Sequence, residues 1–366
     1  AVRAARAAFA SWSQASVADR VALLERVIAE YQKRYDDIAA AISEEMGAPA
    51  VLAQKAQAAM GLGHLKTALA VLKNYHFAEQ RGSTPLVKEP IGVCGLITPW
   101  NFPLLITSWK AAPALAMGNT VVIKPAQLTP LSALLLAEVC LEAGVPPGVV
   151  NVLPGSGGEA GMALVRHPLV RKISFTGSTE VGTTIMKAAA DGIKRVSLEL
   201  GGKSASVVFA DTDLDACIES SVWSVFDNAG QDCCARSRIL VQRSVADRFT
   251  ELLVESAEAW PAADPLAEDT VMGPLVTSAH REKVRGFLNG VDVAWQGPTP
   301  SGPGFWFPAT IVTDPATFLL VSFRTATPAR RISSEGNFVL GSMSTMLTTP
   351  SGRTESAAPS FLRRLA

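Results

Sequence analysis

The sequence predicts an α/β fold: a parallel sheet with helices on its faces, followed by a second α/β segment. Three observations predict it. From Pro90 onward, short β-branched runs bounded by Gly and Pro alternate with longer stretches of helical pattern, the signature of strand–helix–strand units. The 366 residues give room for two or three domains at roughly 100–200 residues each. Hydrophobic residues make up 48% and charged residues 18%, which is the balance of a folded chain rather than a disordered one.

Each element follows from a local pattern. Residues 13–90 read as helices: Ser16 can cap a run in which Val21, Leu24, Val27, Ile28 and Tyr31 recur at helical spacing, and a second stripe passes through Ile38, Ala41, Ile42 and Met46. The strand runs are GVCGLI (92–97), NTVVIKP (119–125), VVNVLPG (149–155) and RKISFTG (171–177). After Gly201 and Gly202 a second set begins with SASVVFA (204–210), a helix through Asp215–Asn228, and RSRILVQ (236–242). Helices over Val245–Ala259 and His280–Leu288 follow. The boundary falls near 200–203, giving a first domain over 1–200 and a second over 201–315. From Ala316 the chain has no Lys or Asp, much Ser, Thr, Pro and Arg, and no sustained period, so 316–366 reads as an atypical tail.

Composition excludes several classes. Lys plus Arg and Asp plus Glu both number 33, leaving no basic surplus for a nucleic-acid backbone or an anionic membrane. No apolar run reaches about 18 residues and the N-terminus lacks an apolar signal region, so a soluble, unexported protein is expected. The five cysteines, at 94, 140, 217, 233 and 234, form no CxxC pair. Neither a disulfide framework nor a metal site is indicated, and a reducing cytoplasm fits.

The residues just after the strands are where a parallel sheet places its ligands. Gly155, Gly157 and Ala160 match G-x-G-x-x-[GA], with the acidic Glu180 twenty residues further on, a dinucleotide fingerprint or an ordinary glycine-rich turn. A second glycine turn, FTGSTEVG (175–182), sets Ser178 and backbone N–H groups at a helix start suited to phosphate. Asn101 in TPWNFP lies between two prolines, either a turn asparagine or a rigidly held amide able to stabilise an oxyanion. Lys124 ends a strand at the same edge. Cys94, Cys140 and Cys217 read as buried small residues. The vicinal Cys233 and Cys234 instead sit near Arg236 and Arg238, whose charge would favour thiolate. Glu199, before two glycines at the domain boundary, is a surface carboxylate or a general base.

In order and spacing, TPWNFP, FTGSTEVG, ELGGKS and GQDCC make the chain resemble the aldehyde dehydrogenase superfamily over about residues 10–315. The resemblance implies a cofactor-binding first domain and a catalytic second domain incomplete at its C-terminus. It implies oxidation of an aldehyde to a carboxylic acid, with Cys233 as nucleophile, Cys234 a neighbour without an essential role, Asn101 an oxyanion donor and Glu199 the base of the hydrolytic branch. It moves the pyrophosphate to the turn Gly177–Gly182 with Ser178, and leaves Gly157 on the adenine side. Lys124 then bonds the adenosine ribose, while the segment Ile97–Trp100 and Leu200 line the cofactor site. Gln127 stands where NAD-preferring members have a glutamate, so NAD is expected and NADP is left open. Trp109 and the helix carrying Trp223 are expected at an apolar substrate entrance, and Asp232 beside the nucleophile would suit an amino-aldehyde or simply solvate the loop. Members of the family are homo-oligomers whose later strands, including a pairing strand, have no counterpart here. A shifted reading frame near 316 is the expectation for the tail. Two other readings stay open: a non-catalytic homologue that binds dinucleotide without turnover, and a thioesterase-like hydrolase using only Cys233, Asn101 and Glu199.

Overall fold

A computed structural model describes residues 1–314 and 318–321. The expectations attached to 322–366, a shifted frame and a lost pairing strand among them, lie outside the described residues. The chain begins with α1 (Val2–Trp12), α2 (Val17–Lys33) and α3 (Tyr35–Met46). The capping box at Ser16 forms as the sequence indicates: the Asp19 N–H donates to Ser16 Oγ at 3.1 Å and the Ser16 N–H donates to the Asp19 carboxylate at 3.2 Å. Leu24, Val27, Ile28 and Tyr31 of α2, and Ile38, Ala41, Ile42 and Met46 of α3, are all buried, so both stripes are core faces. A helical run follows as α4 (Ala50–Leu52), a π-helical stretch Ala53–Ala58 and α5 (Ala59–Lys73).

Helix does not persist to residue 90. Strands β1 (Ala78–Arg81) and β2 (Thr84–Val87) pair antiparallel, with Arg81 opposite Thr84 across a two-residue loop. Gly82 takes φ 60° there, which a loop this short requires and which glycine adopts at little cost. The missed signal was Gly-Ser between two short runs too polar to alternate clearly.

The expected parallel sheet is present. It comprises β3 (Val93–Ile97), α6 (Pro103–Ala116), β4 (Thr120–Lys124), α7 (Leu131–Glu142), β5 (Val150–Val152), α8 (Met162–Arg166), β6 (Val170–Gly177), α9 (Thr179–Ala190) and β7 (Arg195–Leu200). The strand order is β5-β4-β3-β6-β7, all neighbours parallel. Every residue of β3 and β4 is buried because helices cover both faces, which is why these strands read as continuous apolar runs. The order reverses between β3 and β6, and the crevice beyond their carboxyl ends is where such a sheet receives a ligand.

The second sheet is mixed. It contains β8 (Ala205–Val208), β9 (Arg238–Val241), β10 (Asp292–Gln296), β11 (Thr310–Asp314) and β12 (Phe318–Val321) in the order β10-β11-β12-β9-β8, with only β8 and β9 parallel. Around it stand α10 (Leu214–Phe226), α11 (Ala246–Ala257) and α12 (Ser278–Gly286). Strand β12 falls inside the stretch the sequence assigns to an atypical tail, because four residues are too few to show a period. Its backbone nevertheless pairs with β11 and meets β9 at Leu320 opposite Arg238. Leu96, Val121 and Ile123 belong to the core beside the first sheet, whereas Val208, Phe226, Ile239 and Ile311 belong to that of the second. All described residues lie in one compact unit, so the boundary near 200–203 separates two sheets within it.

Candidate active site

The nucleophile loop is built on an unusual turn. After α10 the backbone passes through Asn228 at φ 53°, Ala229 at φ 55° and Gly230 at φ 70°. Left-handed backbone costs roughly 1–2 kcal/mol for a residue with a Cβ, so something must hold Asn228 and Ala229 there. A buried amide network does. Gln57, Asn228 and Gln231 are 1%, 2% and 3% exposed. Gln57 Nε2 donates to Asn228 Oδ1 at 3.4 Å, Gln231 Nε2 donates to the Asn228 carbonyl at 3.1 Å, and the Val276 N–H donates to Gln231 Oε1 at 3.0 Å. These residues come from separate parts of the chain, so sequence spacing gave no sign that Gln57 and Asn228 meet.

Asn101 joins that network. It follows β3 in the loop between Pro99 and Pro103, and its Nδ2 donates to the Gln231 carbonyl at 2.9 Å, two residues before Cys233. Asn228 Nδ2 donates back to the Asn101 carbonyl at 3.1 Å. An amide N–H₂ has two hydrogens, and the second of Asn101 has no protein partner among the described residues.

Cys233 is half-buried and Cys234 exposed, with their Sγ atoms 3.8 Å apart. The Cys234 N–H donates to Asp232 Oδ1 at 2.9 Å. Burial first, then the neighbouring Cys234 and Asp232, push the Cys233 thiol up to about 12. This corrects the expectation that Arg236 and Arg238 favour thiolate. Arg236 Nη2 turns to Ser220 Oγ at 3.3 Å, and among the described residues the groups that act on the thiol are Cys234 and Asp232, both of which raise it.

Glu199 is exposed near the end of β7, opposite Thr176 in register. Three residues on, a Cβ at Gly202 would stand 3.7 Å from the Cys233 carbonyl oxygen, so β7 leads directly to the nucleophile loop. The Glu199 carboxylate makes no hydrogen bond to the Cys233 thiol. It lines a cavity of about 360 Å³ together with Trp109, Lys110, Lys172 and Ser174. Lys110 Nζ donates to Ser174 Oγ at 2.9 Å, and burial lowers this ammonium to about 8, against the pull of Glu199. Lys110 escaped sequence reasoning, although a lysine inside an otherwise apolar helix is a visible signal. Trp109 stacks on His64 with ring centroids 6.0 Å apart and borders a second cavity of about 230 Å³ with Tyr75 and Met117. Trp223 is exposed on α10 and lines neither cavity.

At the crevice Ile97 is buried, and Trp100 is half-exposed with its edge against His280 at 5.4 Å. Ser178 caps α9 by accepting the Val181 N–H at 3.3 Å, which sets its hydroxyl and the positive helix end directly after the carboxyl end of β6, one of the two strands at the switch point. Gly177 precedes it. Gly182 is buried, and a Cβ there would come within 2.6 Å of Leu200 Cδ2, so this pair sets how closely α9 approaches β7. Lys124 is 3% exposed, and its Nζ donates to the Pro125 carbonyl at 2.8 Å with no other partner among the described residues. A nearly buried ammonium with donors to spare fits ribose hydroxyls. Nothing stands within 4 Å of a Cβ at Gly157 or Gly158, so the start of that turn is open, while a Cβ at Gly161 would stand 3.6 Å from Lys124 Cδ and Gln127 is exposed beyond β4. The Gly155–Ala160 fingerprint is corrected: it follows the edge strand β5 rather than the switch point, and Glu180 lies in the first turn of α9 instead of ending a strand.

Comparison with known proteins bears on this geometry. The profile of the aldehyde dehydrogenase family matches residues 1–319. A 3-succinoylsemialdehyde-pyridine dehydrogenase of a Pseudomonas species is 49% identical over 286 residues, 78% of this chain and 60% of that protein. Human cytosolic 10-formyltetrahydrofolate dehydrogenase is 42% identical over 86% of this chain and 37% of its own length. The aldehyde dehydrogenase AldC of Pseudomonas syringae, solved as a mutant with NAD+ and octanal, superposes with a TM-score of 0.83 at 40% identity, over 86% of this chain and 66% of that one. Betaine aldehyde dehydrogenase of Staphylococcus aureus, solved with NAD+, gives 0.82 at 33% identity, over 86% and 65%. The chain thus spans less than two thirds of these relatives.

Proposed function

The chain belongs to the aldehyde dehydrogenase family, and from that premise we propose that it oxidises an aldehyde to a carboxylic acid with NAD, through a covalent intermediate on Cys233. The observation that carries this reading is the bond from the Asn101 amide to the Gln231 carbonyl, which fixes an amide donor beside the loop that presents the thiol. Residues 1–200 serve cofactor binding and 201–315 supply the nucleophile.

Cys233 must lose its proton to solvent water before it attacks, since its surroundings favour the neutral thiol. The sulfur lone pair adds to the aldehyde carbon, and the carbonyl π pair becomes an oxyanion. Asn101 and the Cys233 N–H donate to that oxyanion, groups already ordered before the charge develops. The bound nicotinamide supplies the hydride acceptor. A thioester then remains on Cys233; Glu199 takes a proton from the water whose oxygen adds to the acyl carbon, the carbon–sulfur bond breaks, and the departing sulfur takes that proton back from Glu199 as the acid is released. Lys110 gives Glu199 a cationic neighbour across the shared cavity.

Lys124, Ser178 and the N–H groups starting α9 hold the dinucleotide, with Ile97, Trp100, Gly177, Gly182 and Leu200 shaping the crevice and Gly157 leaving room at the adenine end. NAD is the cofactor for this chain, as in the two solved relatives. Gln127 carries no charge to repel a 2′-phosphate, so NADP is admitted too. No helix among the described residues is long and apolar enough to cross a membrane, and five unbridged cysteines suit a reducing cytoplasm. The test is an aldehyde panel with NAD and NADP, read by the absorbance of the reduced nicotinamide. Turnover that Cys233→Ala abolishes and Cys234→Ala retains supports the reading. Dinucleotide binding without turnover selects a non-catalytic homologue instead.

A further inference from the structure

We propose that Asp232, Cys233 and Cys234 form a three-donor site for a soft divalent cation of the zinc or cadmium class, which on binding takes the nucleophile out of action. No metal-ligand spacing marks this site in the sequence, because the three residues are consecutive rather than spaced. The structure places one donor atom of each residue within 4.8 Å of the others. A zinc–sulfur bond of about 2.3 Å at a tetrahedral angle needs its two sulfurs roughly 3.8 Å apart. Cys233 and Cys234 Sγ stand 3.8 Å apart without any cation, so little rearrangement is required. A disulfide between the same atoms would have to close to about 2.0 Å within a strained ring. The cluster is accessible, with Cys234 exposed and its two companions half-buried. Asp232 already accepts the Cys234 N–H through Oδ1, which fixes the carboxylate beside the thiols. Solvent completes the coordination.

The chemistry balances without an oxidant: two thiols release two protons, two sulfur–metal bonds form, and no atom changes oxidation state. Affinity therefore rises with pH. While the cation is bound, the Cys233 lone pair that would attack a carbonyl is committed to it. That consequence rests on the proposed function, but the binding itself does not.

Cadmium ion is the probe, titrated into the purified reduced chain and read by the ultraviolet thiolate-to-cadmium charge-transfer band. One equivalent should bind with two protons released, and a chelator should reverse it. The band should be lost in Cys233→Ser and in Cys234→Ser, survive in Cys217→Ser, and need at least about tenfold more cadmium in Asp232→Asn. A band of undiminished strength in Cys234→Ser would overturn the site, as would loss of the band in Cys217→Ser. If the wild type turns over aldehyde, cadmium should inhibit it and Cys234→Ser should resist. If it turns over nothing, the band still decides.

Discussion

Cys233 sits in surroundings that hold its thiol protonated, and Asn101 beside its loop is held through its side-chain Nδ2, which donates to the Gln231 carbonyl, and through its main-chain carbonyl, which accepts from Asn228 Nδ2. The first fact sets a pH dependence. With the thiol pushed up to about 12, its thiolate fraction climbs about tenfold per pH unit through the neutral range. Alkylation of Cys233 by iodoacetamide in the cofactor-free chain, followed by mass spectrometry, should rise with that slope, and a plateau near neutral pH would show an unnoticed cation at the thiol. The second fact gives Asn101 its worth. Replacing it with alanine removes one oxyanion donor, and kcat should fall by about 10²–10³ with far smaller change in the affinity for dinucleotide. The vicinal thiols, the glutamate and the asparagine were all legible in the sequence as chemical groups. Their electrostatics were not: Arg236 is near in sequence but bonded to Ser220, and neither Arg236 nor Arg238 is among the groups that act on the thiol, whereas Asp232 and the burial of the loop push it up.

At the scale of elements, the left-handed turn after α10 leads into the nucleophile loop, and it is held by the buried amides of Gln57, Asn228 and Gln231. Asp227 opens that turn and is paid little for its charge. Burial, with Asp232 nearby, pushes its carboxyl up to about 6 from 3.8, although the Asn228 N–H donates to its Oδ1 at 3.0 Å. The sign follows from proton counts. Between about pH 4 and 6 the folded chain binds more protons than the unfolded one, so stability falls as pH rises through that window and the full cost is present at neutral pH. Asp227→Asn keeps an acceptor for the Asn228 N–H and should stabilise the chain by about 1–3 kcal/mol at pH 7, with the gain vanishing below about pH 4. Chemical denaturation at several pH values checks it. Most elements were readable because their faces are regular: the stripes of α2 and α3 and the buried runs of β3 and β4 show directly in the residues. The hairpin β1–β2 was not, since its strands are largely exposed and carry no apolar alternation. The turn at Asn228 was not either, because its reason is a contact with Gln57, 171 positions away.

Over the whole described structure, the loop after β3 and the nucleophile loop of the second sheet meet through Asn101, the juxtaposition that the proposed function requires of cofactor and thiol. The parallel order of the first sheet followed from strand–helix alternation, whereas the mixed order of the second did not, because β12 is four residues long and pairs on one side with β9, far from it in sequence. If the crevice binds dinucleotide, NAD at about 100 times its dissociation constant should add roughly 2.7 kcal/mol to the unfolding free energy, seen as a raised Tm. Ser178→Ala, which removes the cap facing the crevice, should reduce that shift. The most direct test of the central claim is acid quenching during steady turnover with aldehyde and NAD, followed by peptide mass spectrometry. An acyl mass on the Cys233 sulfur, absent from Cys234 and lost on brief incubation before quenching without further aldehyde, is the predicted result. Aldehyde oxidation with the acyl group on Cys234, or undiminished oxidation by Cys233→Ala, would contradict it.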